Sequence, residues 1–210
     1  MPGIFIAIEG LDGSGGTTQS KRLKQWMEAQ KRWPSVHRTW EPSAGPVGLF
    51  IREALKLENA DALGDNVLPY LFAADRQHHL DCEITPVVAQ GGAVITDRYY
   101  HSSLAYQSLT IGFDRVAQLN ADFRAPDLTV FLDLPAEVCL ERILARGAAL
   151  ERFEVIDRLK AIEAAYETVL TYCQDRGENI VRLDASGTVA DIHARVIAAV
   201  AAVADSMSVG

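Results

Sequence analysis

The sequence predicts an α/β protein with a parallel sheet wrapped by helices. Apolar runs of strand length alternate with stretches of helical periodicity along the 210 residues, which is typical of buried parallel strands and their connecting helices. The first run passes directly into a glycine-rich loop and then into a helical pattern. With a hydrophobic composition of 49%, a chain of this length has enough apolar residues for one sizeable core.

Five apolar runs predict the strands, because each is short and bounded by polar or turn residues. These runs are Ile4–Ile8, Val36–Trp40, Ala93–Thr96, Leu128–Leu132 and Ile180–Leu183. Apolar residues three or four positions apart predict helices between them. The pattern is clearest from Leu159 to Cys173 and from Val189 to Val203.

Charge and cysteine spacing argue against several classes of protein. The formal net charge of −8 gives little attraction for polyanions, so neither nucleic acid nor a membrane surface is an expected partner. No apolar run approaches the roughly 20 residues that span a bilayer. Three widely spaced cysteines fit reduced thiols better than disulfides or a zinc site, which favours a cytoplasmic location.

The segment after the first strand has the spacing of a phosphate-binding loop. Its glycines let backbone N–H groups turn inward, and the N-terminus of the next helix adds partial positive charge. Thr17 stands where a hydroxyl would meet Mg²⁺, but Gly16 occupies the position of the motif's lysine. The alternative is a glycine-rich turn that binds no ligand. The residues predicted to surround the nucleotide phosphates are Gly10, Leu11, Asp12, Gly13, Ser14, Gly15, Gly16, Thr17 and Thr18.

Several further segments, in a fixed order, resemble those of the thymidylate kinases over nearly the whole chain. They are IEGLDGSG at the first strand, Glu41-Pro42, Leu71–Arg76, Asp97–Tyr99, Ser102–Gln107, Pro126-Asp127, a second glycine-flanked basic segment and Leu183–Ala185. The resemblance implies a five-stranded parallel sheet with helices on both faces, a flexible lid over the phosphates, and a homodimer. It also implies transfer of a phosphoryl group from ATP to dTMP with Mg²⁺, which gives ADP and the dTDP needed for dTTP synthesis.

The predicted domain organisation is a single kinase domain. We expect it to cover residues 1–204, with a lid segment near residues 147–153 and a frayed tail at residues 205–210.

The resemblance also implies where dTMP binds. Phe72 and Arg76 share a helix face and would serve the thymine ring by stacking and hydrogen bonding. Arg98 would grip the acceptor phosphate with its fork of N–H groups, and Tyr106 would exclude a 2′-hydroxyl. The alternatives are a core phenylalanine, a surface salt bridge and a half-buried helix aromatic. The implied acceptor residues are Glu41, Pro42, Phe72, Arg76, Arg98, Ser103, Tyr106 and Gln107.

Two carboxylates are candidates for the metal site beside Thr17. Asp97 follows an apolar run, so it lies at the carboxyl end of a strand, where open α/β sheets place ligands. Its alternative role is to cap the following helix. Asp12 matches an acidic loop position that helps with Mg²⁺ or the acceptor phosphate, since a carboxylate among phosphates needs a cation nearby.

Arginines near the second basic segment are candidates for the transferring phosphates. Arg142 and Arg146 lie four residues apart; in related kinases one such arginine contacts the adenine face and the other the phosphates. The alternative is that both face solvent. Arg152 resembles the family's lid arginine, and positive charge at the transferring oxygens suits phosphoryl transfer. With Asp12 and Arg98, these residues form the predicted catalytic set.

The sequence departs from the family pattern at Gly16 and at Trp40, where many relatives carry arginine. Two alternative functions therefore remain open. One is a kinase for another nucleoside or nucleoside monophosphate, and the other is a nucleotide-binding module that has lost catalysis. His78 and His79 are expected to be surface residues, because adjacent helix positions point about 100° apart and make poor metal ligands together.

Overall fold

The fold is a five-stranded parallel sheet, which confirms the predicted fold class. It is seen in a computed structural model that describes residues 2–56, 66–146 and 152–207, without the side chains of 152–154. The strand order is β2-β3-β1-β4-β5, and every pair is parallel. The strands are β1 (Ile4–Gly10), β2 (Val36–Trp40), β3 (Ala93–Asp97), β4 (Leu128–Asp133) and β5 (Ile180–Asp184).

Four strands extend further than predicted, and each extension is at the carboxyl end. In β1, Glu9 pairs with Phe131 and Gly10 with Leu132. In β3, Asp97 pairs with both Ile8 and Trp40. A strand predicted from its apolar pattern ends at the first polar residue, but backbone hydrogen bonding between strands does not require an apolar side chain. The sheet therefore carries polar residues at the edge where open α/β sheets usually bind ligands.

The helices follow the strands in chain order. They are α1 (Gly16–Gln30), α2 (Pro46–Lys56), α3 (Leu68–His79), α4 (Thr85–Ala89), α5 (Tyr100–Tyr106), α6 (Ser108–Ile111), α7 (Phe113–Asn120), α8 (Ala136–Leu144), α9 (Arg152–Asp175) and α10 (Val189–Ser206), and a π-helical turn (Leu80–Ile84) joins α3 to α4. As predicted, buried apolar residues repeat along α9 and α10.

Helices cover both faces of the sheet. Every residue of β1 is buried, and since successive side chains point to opposite faces, both faces must be covered. Helices α1 and α10 pack against each other on one face, and α5 and α9 pack together on the other. The chain leaves β1 toward β2 and leaves β3 toward β4, so right-handed connections place these helices on opposite faces. Ligands bind where such connections diverge, at the carboxyl ends of β1 and β3.

Three further features bear on the sequence predictions. All three cysteines are free, in agreement with the spacing argument. Helix α10 continues to Ser206, and Arg32 donates to Asp205 at 2.6 Å, so order extends two residues into the segment predicted to fray. Within residues 2–56, 66–146 and 152–207, no helix is both long and apolar enough to span a bilayer.

Candidate active site

The loop between β1 and α1 is a tight turn that only glycine can form at one point. Gly13 has a φ of +92°, and a Cβ there would lie 2.5 Å from the carbonyl oxygen of Cys139. The Ser14 N–H donates to the Leu11 carbonyl at 3.0 Å, which closes the turn. The first N–H groups of α1 have no intrahelical partner by geometry, so they are available to a ligand.

A cavity of about 550 Å³ lies over this loop, within the range of small-molecule sites. Its walls include the whole predicted phosphate loop and the carboxyl end of β3. Four cationic side chains also line it, and they are Lys21, Arg38, Arg98 and Arg146. The structure therefore places the predicted phosphate-binding residues together with positive charge.

Thr17 and Asp97 meet at the cavity floor. The Thr17 hydroxyl donates to Asp97 Oδ2 at 2.5 Å, which brings a hydroxyl and a carboxylate to one point. Asp97 does not cap the next helix, because the N-cap of α5 is Tyr99. Oxygen donors of this kind suit Mg²⁺, so Thr17 and Asp97 fit the ion that the family implies.

The space beside Gly16 is filled by Asp97. A Cβ at position 16 would lie 2.8 Å from Asp97 Oδ1, closer than non-bonded atoms normally approach. Asp97 Oδ1 thus lies where a side chain of residue 16 would begin. The missing lysine and the position of this carboxylate are therefore linked.

A second cavity, of about 180 Å³, opens beside the first. It is lined by the eight predicted acceptor residues together with Asp12, Leu55, Tyr99 and Ser102. Asp12, Glu41 and Arg98 line both cavities. The two cavities therefore meet at one carboxylate–guanidinium cluster.

Arg98 is held by a buried network that starts from Glu9. Glu9 is 1% exposed and accepts hydrogen bonds from the Tyr99 N–H at 2.7 Å and the Ser102 hydroxyl at 2.7 Å. These bonds support the turn in which Arg98 adopts a φ of +73°, which is strained for a residue with a side chain. Arg98 then donates to Ser102 at 2.8 Å and to Asp12 at 2.7 Å.

Burial lowers the pKa of the Arg98 guanidinium, but Tyr106, Asp12 and Glu9 more than offset that and raise it well above its usual value. Arg98 therefore keeps its charge at the junction of the two cavities.

Comparison with known proteins agrees with this geometry. The family profile described as thymidylate kinase matches residues 8–196. The chain belongs to the thymidylate kinase family. It is 40% identical over 164 residues to a "Probable thymidylate kinase" of Pyrobaculum aerophilum, covering 77% of this chain and 80% of that protein. It is 36% identical over 202 residues to a thymidylate kinase of Xanthomonas oryzae pv. oryzae, covering 95% and 85%. Family and enzyme class are thus as predicted.

Arg76, implied by the thymidylate kinase resemblance to read the base, is mostly engaged by the protein itself. It is 1% exposed and donates to Glu41 Oε2 from Nε at 2.9 Å and from a terminal nitrogen at 2.6 Å. It also donates to Ser103 at 2.9 Å and to Asn120. Four of its five N–H groups therefore have partners among the described residues, which leaves one without a described partner.

The other predicted arginines are only partly described. Arg142 donates to the carbonyl oxygens of Ser14 at 3.4 Å and Ala185 at 3.2 Å, so it bridges the phosphate loop and the end of β5. Arg146 is exposed and lines the larger cavity. Helix α9 begins at Arg152, whose side chain lies outside the described residues, as do residues 147–151 of the predicted lid.

The prediction that His78 and His79 are surface residues is wrong for His79, which is fully buried. Its ring contacts Thr39 Oγ1 at 2.7 Å and Glu41 Oε1 at 3.2 Å. It lies on the same face of α3 as Arg76, which stands three residues earlier and lines the smaller cavity. A dipeptide alone does not show which of two adjacent helix positions faces inward.

Sequence reasoning missed three residues that shape the site. Glu9 is the buried centre of the Arg98 network. Asp75 accepts hydrogen bonds from the Ser43 N–H and hydroxyl at 2.6 Å each. Arg38 lines the larger cavity. A usable signal existed for Glu9, since a carboxylate at the end of an otherwise apolar strand needs buried partners. A second signal existed for Arg38, which stands two residues before Trp40 on the predicted strand and therefore lies on the same strand face as that residue.

Proposed function

We propose that the protein transfers the γ-phosphoryl group of ATP to dTMP, giving ADP and dTDP. The observation that carries this proposal is the junction at which Asp12, Glu41 and Arg98 line both cavities. Phosphoryl transfer asks the protein mainly to align donor and acceptor and to neutralise charge. An acceptor phosphate on Arg98 would lie beside a triphosphate in the glycine loop.

The smaller cavity has features that suit thymine. The side-chain oxygen of Gln107 is buried and has no hydrogen-bond partner among the described residues, and the N3–H of thymine is the donor it lacks. The remaining N–H of Arg76 suits a thymine carbonyl. Phe72 lines the same cavity and offers a ring for stacking, while Tyr106, whose hydroxyl donates to Asp12 at 3.1 Å, would crowd a ribose 2′-hydroxyl.

The remaining predicted roles belong to the ATP side. Thr17 and Asp97 would hold Mg²⁺, which supplies positive charge at the phosphates when bound, and we retain Asp12 as a third candidate ligand. Arg142 is suited to the adenine side, because it spans the phosphate loop and the end of β5. Arg146 and Arg152 are suited to neutralise the transferring oxygens.

The test is a coupled ADP-release assay on the purified protein with ATP, Mg²⁺ and a panel of nucleoside monophosphates. We expect dTMP to be the preferred acceptor, dUMP to be weaker and ribonucleotides to be poor. Arg98→Ala should lower kcat/KM for dTMP by about tenfold to a hundredfold or more. Arg124→Ala, a partly exposed arginine paired with Asp127 at 3.3 Å, is the matched control and should leave activity unchanged.

Two results would refute the proposal. One is equal turnover of dTMP and CMP, which would show that the smaller cavity does not select thymine. The other is binding of both nucleotides without formation of dTDP.

We also propose that the enzyme works as a cytoplasmic homodimer. The family resemblance supports the dimer, and the exposed side chains of Leu49 and Phe50 on α2 give an apolar surface for such a contact. The free, exposed thiol of Cys82 fits a reducing compartment. Light scattering coupled to gel filtration tests the dimer, and a monomeric mass at micromolar concentration would contradict it.

A further inference from the structure

Arg38 is a largely buried cation that lines the larger cavity. It is not one of the predicted site residues, so its role there is unassigned. Its side chain is 12% exposed, although it lines the same cavity as Gly16 and Thr17. Lys21 and Arg146, which also line that cavity, are exposed. Burying a guanidinium is costly unless it is paired, so its surroundings indicate what it is placed to bind.

The protein holds the Arg38 side chain but leaves its terminal nitrogens available. Nε donates to the Ser20 hydroxyl at 2.8 Å, and the guanidinium carbon lies 5.4 Å from the centre of the Trp40 ring. The nearest carboxylate contact is from a terminal nitrogen to Asp97 Oδ2 at 3.6 Å, which is too long for a hydrogen bond. Within the described part of the chain, no residue accepts a hydrogen bond from either terminal nitrogen.

The guanidinium lies beside the carboxylate that fills the space next to Gly16. Gly16 and Ser20 are four residues apart on α1 and share a face, and Arg38 is bonded to the second of them. Its terminal nitrogens approach Asp97, whose other oxygen lies 2.8 Å from the point where a Cβ of residue 16 would stand. A cation from β2 therefore lies beside the carboxylate that occupies the place where the motif's lysine would begin.

We propose that Arg38 binds the β- and γ-phosphates of ATP from the sheet side and replaces the lysine missing at position 16. This inference rests on the proposed function, since it assumes that the larger cavity holds ATP. Two terminal nitrogens form a planar fork that matches two phosphate oxygens. The Trp40 ring covers the face of the guanidinium and leaves its edge for the phosphates.

The same geometry accounts for glycine at position 16. A lysine there would require the Asp97 carboxylate to shift and would put a second cation beside Arg38. A lysine at position 16 and the arginine at position 38 are therefore alternative cations for the same phosphates. The two departures from the family pattern, Gly16 and Trp40, become parts of a single arrangement, because the Trp40 ring lies against the Arg38 guanidinium.

The test is isothermal titration of the full chain with ATP, ADP, AMP and dTMP in the presence of Mg²⁺. Arg38→Ala should weaken ATP binding by about tenfold to a hundredfold and ADP binding by less. AMP and dTMP should bind within about twofold of the wild-type affinity, because neither places a phosphate in the β or γ position. Arg38→Lys keeps the charge and loses the fork, so it should recover part of the ATP affinity.

Two controls separate this role from a structural one. Arg22→Ala removes an exposed arginine of α1 and should leave all four affinities unchanged. Gly16→Lys in the Arg38→Ala background should restore ATP affinity, whereas Gly16→Lys alone should not raise it, and a double-mutant cycle measures this coupling. Thermal melts confirm that each variant is folded.

The inference is overturned if folded Arg38→Ala binds ATP as the wild type does. It is also overturned if ATP, AMP and dTMP all weaken equally, or if Arg38→Lys recovers nothing while Gly16→Lys shows no coupling. Because binding is measured without turnover, a wild-type protein that forms no dTDP would refute the proposed function and leave this comparison intact.

Discussion

Removing one partner of the buried Arg76–Glu41 pair should destabilise the protein strongly, and removing the second partner should then cost less than it does alone. The Arg76 and Glu41 side chains are 1% and 3% exposed, and their closest atoms are 2.6 Å apart. Arg76→Met keeps much of the apolar stem but leaves the Glu41 carboxylate buried without its cation. A buried ion pair broken on one side costs about 3–5 kcal/mol.

The expected loss of stability should also lower the melting temperature by a measurable amount. For a domain of this size, each kcal/mol lowers the melting temperature by roughly 2–4 °C, so Arg76→Met should melt roughly 6–20 °C below the wild type. The Arg76 guanidinium also lies 5.3 Å from the Tyr99 ring centre and 5.6 Å from that of Phe123. Those contacts change as well, which places the expected loss toward the upper part of the range.

The assay is denaturant unfolding followed by tryptophan fluorescence, since Trp26, Trp33 and Trp40 are native probes. Wild type, Arg76→Met, Glu41→Gln and the double variant form one cycle. The double variant should lose at least about 1.5 kcal/mol less than the sum of the single losses, because neither charge is left alone in the core.

The control is Lys56→Met, which removes the cation of an exposed pair with Glu53 at 2.9 Å and should leave the unfolding midpoint unchanged. An Arg76→Met loss under about 1 kcal/mol, or strict additivity in the cycle, would refute the reasoning.

Three further outcomes are expected. Tyr106→Ala should raise turnover of ribonucleotides relative to dTMP. Tyr106→Phe should keep the wild-type preference, because the ring and not the hydroxyl excludes the 2′ group. Turnover of a panel of acceptors by both variants tests this. Arg152→Ala should depress kcat far more than ATP affinity, and steady-state kinetics with ATP titration would contradict this if affinity collapsed while kcat survived. Burial raises the pKa of Glu178, but the hydrogen bond and charge of His101 more than offset it and set the pKa below its ordinary value near 4.5. The stabilisation from Glu178 is therefore present above that value and lost as pH falls, so below about pH 5 the wild type should lose more stability than Glu178→Gln, as thermal melts would show.

The sequence predicted the fold class and most of the candidate site because both depend on local pattern. Alternating apolar runs and helical periodicity located all five strands, and the glycine loop after the first strand located the phosphate cavity. The structure also places the predicted acceptor residues, from Glu41 to Gln107, around one cavity. These residues come together because each motif lies at the carboxyl end of a strand or on one helix face.

The tertiary structure alone decided how these residues are engaged. Burial of His79, use of four N–H groups of Arg76 by protein partners, and the Glu9 network behind Arg98 all depend on partners distant in the chain. Glu9 and Tyr166, for example, are hydrogen-bonded at 3.0 Å across 157 positions. No local pattern contains such a pairing, because packing across the sheet creates it.

Position 16 shows both what the sequence determined and what only the tertiary structure decided. The sequence by itself determined that the phosphate loop lacks its lysine, since that is a matter of spacing within one motif. The surroundings of this position depend on three segments that meet in space: α1 with Gly16, β2 with Arg38 and β3 with Asp97. Parallel pairing of β2 with β3 sets Arg38 opposite Ile95, two residues before Asp97, and the packing of α1 on the same face brings Ser20 to the guanidinium. That register is a property of the folded sheet, so only the tertiary structure shows that Arg38 lies beside the carboxylate next to Gly16.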